Sequence, residues 1–144
     1  MLAVLAQRSL PVLDGHVAFK GLGAPVQVWR DAADVTHIEA QSTLDAWRAL
    51  GWVHAQERGW QLEFNRRVMH GELSEVLGEA TLPTDKLLRA LGIMRAAKAQ
   101  YATLPAEARE CLAAYAEGIN AFNAQGSAQR QPEFRILGIT PGVW

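Results

Sequence analysis

The amino-acid sequence predicts an α+β chain that is mainly α-helical, with short strands near its N-terminus. Residues 26–31 alternate in the period of two that is typical of a strand. From residue 42 onward, apolar residues instead recur at helical spacings of three and four. No further strand pattern follows that could complete a sheet, so we expect the edges of these strands to need partners from elsewhere.

Length and composition are those of one globular domain. The chain has 144 residues, of which 49% are hydrophobic, and its net charge is −1 with acids and bases interspersed. This balance gives no electrostatic reason to bind nucleic acid or an anionic membrane. No apolar run approaches the roughly 18 residues that a transmembrane helix needs.

The first residues raise the question of export. MLAVLA, at residues 1–6, is similar to the tail of a signal peptide's apolar region, but it is shorter than such a region and no basic segment precedes it. Either export is absent or the exporting segment has been removed. We therefore interpret residues 1–9 as a residual leader or flexible N-terminus, and residues 10–144 as the folded portion.

The strand region comes first along the chain. Asp14-Gly15 is a tight-turn dipeptide, after which residues 16–20 are predicted to form a short strand. Residues 26–31 form the next predicted strand. Residues 31–34 are predicted to turn, and residues 35–38 to return as a brief extended segment.

The chain is organised around the stretch from residue 50 to residue 78. Ser42 with Asp45 three residues later reads as a variant capping box, and His70-Gly71 reads as a helix end. These signals predict one helix of about 28 residues, about 40 Å long. The apolar pattern is broken only at the turn that carries Glu57, and the face predicted to be buried consists of Leu50, Val53, Trp60, Phe64 and Val68.

Three more helices are predicted in the second half. Pro83 opens a helix that ends at Leu91, Gly92 interrupts it, and residues 93–103 continue. Pro105, at a first helical position, opens the last of them, and Gly126 lies just past its end. One face of this helix is predicted to be buried: Ala108, Leu112, Tyr115, Ile119 and Phe122.

Candidate chemical sites are few. His54 and Glu57, three residues apart on a helix, could share a metal, but no second pair accompanies them, so structural roles are favoured. The same holds for His37 with Glu39 on a strand. Cys111 is interpreted as a small buried apolar residue. The sequence contains no phosphate-binding loop, CxxC, HExxH or GxSxG motif, and no nucleophile with a base beside it.

Charged residues on the long helix point to a structural role. Glu57-Arg58 and Arg66-Arg67 could form a cluster that holds helices together. We expect Arg58 to pair with a buried carboxylate of a neighbouring segment, which would make it necessary for folding.

Several motifs in series carry a family resemblance. They are VWRD at 28–31, VTHI at 35–38, LGWVHAQER at 50–58, WQLEFNRR at 60–67, GELSEVLG at 71–78, AYAEGINA at 114–121, and the spaced run from Pro132 to Trp144. In this order and spacing they resemble the small (α) subunit of the penicillin acylase family of amidohydrolases, over about residues 10–144. Three positions depart from the family pattern: Asp34 stands for glycine, Thr36 for proline and Glu57 for aspartate. None of them affects the chemistry.

The resemblance implies an N-terminal nucleophile hydrolase with a four-layer αββα fold that a partner β chain completes. A precursor of this family cuts itself into an α chain and a larger β chain whose first residue is serine. That hydroxyl attacks the amide carbonyl, the free α-amine acts as base through a water, and the β chain supplies the oxyanion hole. Family substrates include penicillins and N-acyl homoserine lactones, and such a protein is expected to be periplasmic or secreted.

The resemblance assigns no catalytic, cofactor-binding or metal-binding residue to this chain. The sequence begins with Met1, and its serines are internal and carry no free α-amine: Ser9, Ser42, Ser74 and Ser127. His54 is the best acid–base candidate, yet on a helix it is expected to pack or cap. The family's α chain continues past Trp144 into a segment with a calcium-binding glutamate and acyl-pocket residues. A structural calcium is therefore expected, with ligands outside this chain, which is either a processed piece or an incomplete α chain.

A second class of function stays open at this point. A non-enzymatic helical module could dock another protein through its tryptophan-rich surfaces, three of whose tryptophans lie on the long helix. Co-purification of a second polypeptide that begins with serine would distinguish the two.

Overall fold

A β-hairpin followed by six helices makes up the described part of the protein. The computed structural model describes residues 13–126 and 131–144. The interpretation of residues 1–9 as a leader lies outside them. The elements are β1 (Gln27–Arg30), β2 (Thr36–Glu39), α1 (Thr43–His70), α2 (Ser74–Leu77), α3 (Leu82–Leu91), α4 (Ile93–Thr103), α5 (Ala106–Ala124) and α6 (Pro132–Leu137), with a 3₁₀ turn at Glu79–Thr81. The predicted fold class, mainly helical with short N-terminal strands, is confirmed.

The two strands pair in antiparallel register, with Trp29 opposite His37. The turn between them is built by Asp31, whose carboxylate accepts the N–H groups of Ala33 at 2.9 Å and Val35 at 3.0 Å. Both predicted strands of the hairpin are therefore confirmed. The strand predicted at residues 16–20 is wrong, because the only sheet among the described residues has two strands and these residues pair with neither.

The long helix α1 begins and ends where its capping signals predict. The Ser42 hydroxyl accepts the N–H of Asp45 at 3.1 Å, and Gly71 ends the helix in the left-handed conformation with φ 65°. The capping box is only half formed, however. The carboxylate of Asp45 accepts the N–H of Gly23 at 3.1 Å and 3.2 Å, in place of the backbone N–H of Ser42. It thereby ties the preceding loop to α1.

A kink divides α1 at Arg58, whose backbone is non-helical with φ −141° and ψ 36°. The side-chain amide of Gln131 occupies the break. Its nitrogen donates to the carbonyl of Ala55 at 2.8 Å, and its oxygen accepts the N–H of Trp60 at 3.1 Å. Both groups would otherwise bond along the helix. A side chain 71 residues further along the chain therefore replaces backbone hydrogen bonds of α1.

The core lies where α1 crosses α5. Its centre consists of Ala55, Ile119 and Phe122, with Trp52 packed edge-on against Phe122 at a ring distance of 5.3 Å. The most buried residues of α1 include a row at a spacing of four: Gly51, Ala55, Gly59 and Glu63. Small residues in such a row let the facing backbone approach closely.

The predicted buried faces are only partly correct. On α1 Val53 is buried, whereas the other four predicted residues are half-buried, because Gly51 and Ala55 of the neighbouring row are the residues that face α5. On α5 Ile119 and Phe122 are buried, but Leu112 is 48% exposed. The helix boundaries shift by one residue, since α5 begins at Ala106 and α3 at Leu82.

Candidate functional site

Glu57 joins the hairpin to the kink of α1. Its carboxylate pairs with the guanidinium of Arg30 at the end of β1 and lies 3.4 Å from the hydroxyl of Thr36 on β2. Arg30 also reaches Asp34 in the turn at 3.2 Å. The hydrogen bonds of the Glu57 carboxylate therefore go to the hairpin and not to His54.

His54 packs against α5, as expected of a structural histidine. Its Nδ1 lies 2.9 Å from the hydroxyl of Tyr115, and the two rings meet edge to face. Burial lowers the pKa of His54, and the positive charge of Arg58 lowers it further, against an opposing effect of Glu57. Burial also disfavours the charged form of Tyr115, and it therefore raises the pKa of the Tyr115 hydroxyl. Both groups are held neutral at physiological pH, which suits a packing contact between helices.

The structure overturns the role predicted for Arg58. Its side chain is 54% exposed, and its ion-pair contact among the described residues is with its neighbour Glu57 at 4.0 Å. Within residues 13–126 and 131–144 it joins no buried carboxylate, and it stands at the non-helical residue of the kink. Arg58, Trp60 and Gln131 instead line an open groove of about 360 Å³ beside the kink.

The linking role belongs to Glu63 instead, which is 1% exposed. Arg66 donates to it at 2.8 Å and 3.0 Å, Arg67 donates at 2.7 Å, and the backbone N–H of Gly142 donates at 3.0 Å. Burial by itself raises the pKa of Glu63, but these hydrogen bonds and the two positive charges outweigh it and hold the pKa below its usual value.

The predicted cluster around Arg66 and Arg67 is thus present, but Glu57 and Arg58 are not part of it. Its other carboxylates are Glu72, 3.7 Å from Arg66, and Glu75, 3.1 Å from Arg67. Glu63 stands in the segment WQLEFNRR three and four residues before the arginines. That helical spacing is the sequence signal that would have identified it.

Asn120 holds the same terminal segment from α5. Its side-chain amide donates to the carbonyl of Trp144 at 2.9 Å and accepts the N–H of Trp144 at 3.0 Å. Together with Glu63 it fixes the backbone from Gly142 to Trp144 across both long helices.

His37 and Glu39, the other candidate metal-binding pair, have separate surroundings. His37 stacks on Trp29 at 5.4 Å and bonds Asp31 through Nε2 at 2.9 Å, whereas Glu39 is exposed. Among residues 13–126 and 131–144, no three His, Cys, Asp or Glu side chains lie where they could hold a metal ion. Cys111 is a free thiol of intermediate exposure.

Both serines that the structure describes stand at helix starts. Ser42 caps α1, and the N–H of Ser74, the first residue of α2, donates to Asp85 at 2.7 Å. Ser9 and Ser127 lie outside the described residues. None of the helices that the structure describes is long and apolar enough to cross a membrane.

Comparison with known proteins places these features in a family. The model of the penicillin amidase family matches residues 25–144. Penicillin acylase 2 proenzyme of Pseudomonas sp. (strain SE83) is 43% identical over 138 residues, which cover 96% of this chain and 18% of that relative. An acyl-homoserine lactone acylase of Pseudomonas fluorescens, QuiP, is 33% identical over 96% of this chain and 17% of its own length.

A solved structure agrees with the sequence matches. A thermostable penicillin G acylase from Alcaligenes faecalis superposes with a TM-score of 0.73 at 27% identity, covering 83% of this chain and 65% of the other. The chain therefore has the fold of the corresponding part of an N-terminal nucleophile hydrolase. It spans less than a fifth of the curated relatives that it matches.

Proposed function

Because the chain belongs to the penicillin amidase family, we propose that residues 10–144 are the α-subunit portion of a heterodimeric amidohydrolase. The enzyme removes the acyl chain from an acylated amine, and its nucleophile is the N-terminal serine of a β chain cut from the same precursor. The family match over residues 25–144 is the observation that carries the proposal. One relative is named a proenzyme, which fits a precursor that is cut.

The arrangement of the described residues supports this division of labour. Ser42 and Ser74 stand at helix starts, and His54 is engaged by Tyr115. The hairpin meanwhile leaves apolar side chains exposed on both faces, with Val28 46% and Trp29 47% exposed. A two-stranded sheet is marginal alone and gains stability from further strands or packed layers. Such a chain is suited to scaffold a partner that holds the nucleophile.

The proposed reaction has two steps. The β-chain serine oxygen forms a bond to the amide carbonyl carbon while its proton passes, through a water, to the serine's own α-amine. The C–N bond then breaks, and the amine leaves with that proton. A water molecule next cleaves the acyl-serine ester and releases a carboxylic acid. An oxyanion hole in the β chain stabilises both tetrahedral intermediates.

Two substrate classes fit the relatives' names, namely penicillins and acyl-homoserine lactones. The test is to express the complete gene and assay the purified protein against penicillins with aromatic and aliphatic side chains and against N-acyl homoserine lactones. N-terminal sequencing of the co-purified chain should give serine. Replacing that serine with alanine should leave an uncut, inactive precursor.

The alternative, a helical interaction module without catalysis, predicts a different outcome. The protein would purify without a serine-starting partner and would hydrolyse no acyl amide in the panel. Trp47, which is 37% exposed at the edge of Tyr115, would then be the kind of surface residue on which its function depends.

We also propose a structural calcium whose ligands lie outside this chain. The buried carboxylates described here already have protein donors, since Gly23 bonds Asp45, Arg66 bonds Glu63, and Leu73 bonds Asp85. None of the three is left to hold a cation. Calcium binding to the full protein, measured by metal analysis after dialysis, should therefore survive substitution of these three residues wherever the variant folds.

The proposed location is the periplasm or the exterior of the cell. Fractionation of cells that express the complete gene should recover the processed protein outside the cytoplasm. Recovery of active enzyme from the cytoplasm alone would contradict this location.

A further inference from the structure

Helix α3 presents its apolar side to solvent and its polar side to the body of the protein. Leu87 and Leu91 are 59% and 63% exposed, whereas Asp85 is 2% exposed. Successive residues of a helix are about 100° apart, so Leu87 lies about 160° from both Asp85 and Arg89. A surface helix of a globular domain has the opposite arrangement.

The orientation of α3 is fixed by polar contacts on its inner side. Asp85 accepts the N–H groups of Leu73 at 2.9 Å and Ser74 at 2.7 Å, and Arg89 donates to the carbonyl of Gly71 at 2.9 Å. The backbone packs closely as well, since a Cβ on Gly71 would lie 2.9 Å from the carbonyl oxygen of Asp85. Rotating α3 to bury its leucines would leave these groups without partners.

The surroundings of the exposed leucines are basic. Residues 82–103 contain four basic residues and a single acid, Asp85, which is buried, although the whole chain has a net charge of −1. Lys86, Arg95 and Lys98 are exposed, and none forms an ion pair with a described residue. The outer side of α3 is therefore an apolar strip, Leu87 and Leu91, with the basic Lys86 at its border.

We propose that this strip is a docking surface for the part of the polypeptide that lies outside the chain. Its complement is an apolar patch bordered by carboxylates. The inference rests on the proposed function, in which the β chain is cut from that part. Two observations select this occupant. The chain spans only 18% and 17% of two relatives, so most of a polypeptide of their length would lie outside it and could cover the strip. Lys86, on the flank of the strip, forms no ion pair with a described residue, and charge complementarity across an interface would place acidic groups opposite it.

The first experiment identifies the occupant directly. A photoreactive amino acid replaces Leu91 in the protein expressed from its complete gene, and cross-linked peptides are identified by mass spectrometry after irradiation. We expect the cross-link to reach residues outside the present chain. A cross-link to a second copy of the chain, a cross-link to lipid, or none at all in a folded, processed protein would overturn the proposal.

The second experiment tests the charged border. A carbodiimide joins an amine to a carboxylate in direct contact, so Lys86 should couple to an Asp or Glu of the outside part. The Lys86→Arg variant keeps the charge but removes the amine, and it should lose this cross-link alone. Persistence of the same cross-linked species in Lys86→Arg, or its absence from the unaltered protein, would contradict an acidic complement.

A third measurement separates this inference from the proposed function. In a Leu91→Cys variant with Cys111→Ala, maleimide labelling should be at least about tenfold slower in the native protein than in the urea-denatured one. A serine-starting partner and full activity, together with rapid labelling, would refute the docking surface alone. Absence of the serine-starting partner would refute the proposed function, whatever the labelling rate.

Discussion

Gly51 of α1 and Gly118 of α5 lie at the crossing of the two longest helices, each against the backbone of the other helix. A Cβ on Gly51 would overlap the carbonyl of Tyr115, and a Cβ on Gly118 would overlap the carbonyl of Arg48. Backbone atoms cannot rotate away as a side chain can. The two helices can therefore meet at this distance only because both positions lack a side chain.

Gly118→Ala should destabilise the protein by about 1–3 kcal/mol or more, because the helices must separate to admit the methyl group. Gly51→Ala should act in the same direction. The measurement is the urea midpoint of the purified protein together with its yield. Ala113→Ser, on the exposed side of α5, adds one atom without a clash and should change stability by less than about 0.5 kcal/mol. Equal midpoints for Gly118→Ala and Ala113→Ser would contradict this account of the crossing.

The kink of α1 gives a second prediction, tested by a double-mutant cycle. Gln131→Ala should cost about 1–3 kcal/mol, since the carbonyl of Ala55 and the N–H of Trp60 lose their partner. Gly59→Ala should also destabilise, because its Cβ would lie 2.7 Å from the Gln131 side-chain oxygen. In the double variant this clash is absent, so the cost of Gly59→Ala should fall markedly. Strict additivity of the two costs would show that Gln131 does not hold the kink.

The ends of α1 could be predicted from sequence, whereas its kink could not. Ser42 and Gly71 act through neighbours a few residues away, and their signals are local. The kink depends on Gln131, which arrives from a segment 71 residues beyond Trp60. The apolar pattern did break at Glu57, next to the kink, but the break did not indicate which residue bonds the helix backbone there.

The same distinction explains the charged residues. The pattern at residues 57–67 indicated a cluster, and Arg66 and Arg67 do form one with Glu63. Arg58 was assigned a buried partner because of its place in the pattern. The direction of the Arg58 side chain follows from the non-helical backbone at the kink. A projection that assumes a continuous helix cannot represent it. The exposure of Leu87 also depends on contacts between residues distant in sequence. Asp85, on the inner side of the same helix, bonds Leu73 and Ser74, which lie 12 and 11 residues before it.

Acid should destabilise the protein through its buried carboxylates. The pKa of Glu63 lies below its ordinary value of 4.5 and that of Asp45 below 3.8, the latter through the hydrogen bond from Gly23. A lowered pKa contributes stability that is fully present above the ordinary value and is lost as the pH falls through the folded one. The melting temperature should therefore be level near neutrality and fall progressively below about pH 4.5.

Glu63→Gln isolates the contribution of one carboxylate. The variant should melt lower at pH 7, because the charges of Arg66 and Arg67 lose their buried partner. Its melting temperature should also fall less between pH 5 and pH 3 than that of the unaltered protein. A parallel acid curve for the two proteins would show that Glu63 does not contribute through its ionisation.

His54 should be dispensable for turnover. Its contact with Tyr115 is a packing contact between α1 and α5, and glutamine can keep a hydrogen bond to that hydroxyl. His54→Gln should leave kcat within about tenfold, or about 1.4 kcal/mol of barrier, provided that the precursor matures. A thousandfold loss of kcat in a mature, folded variant would place catalytic chemistry in this chain.

The division of labour between the two chains is tested most directly by labelling the nucleophile. The purified mature enzyme is inactivated with phenylmethanesulfonyl fluoride, which sulfonylates activated serine hydroxyls, and the modified residue is located by mass spectrometry. We expect a single modification, on the N-terminal serine of a chain outside residues 1–144, in proportion to lost activity. A modification on Ser42, Ser74 or another residue of this chain, in proportion to lost activity, would contradict it.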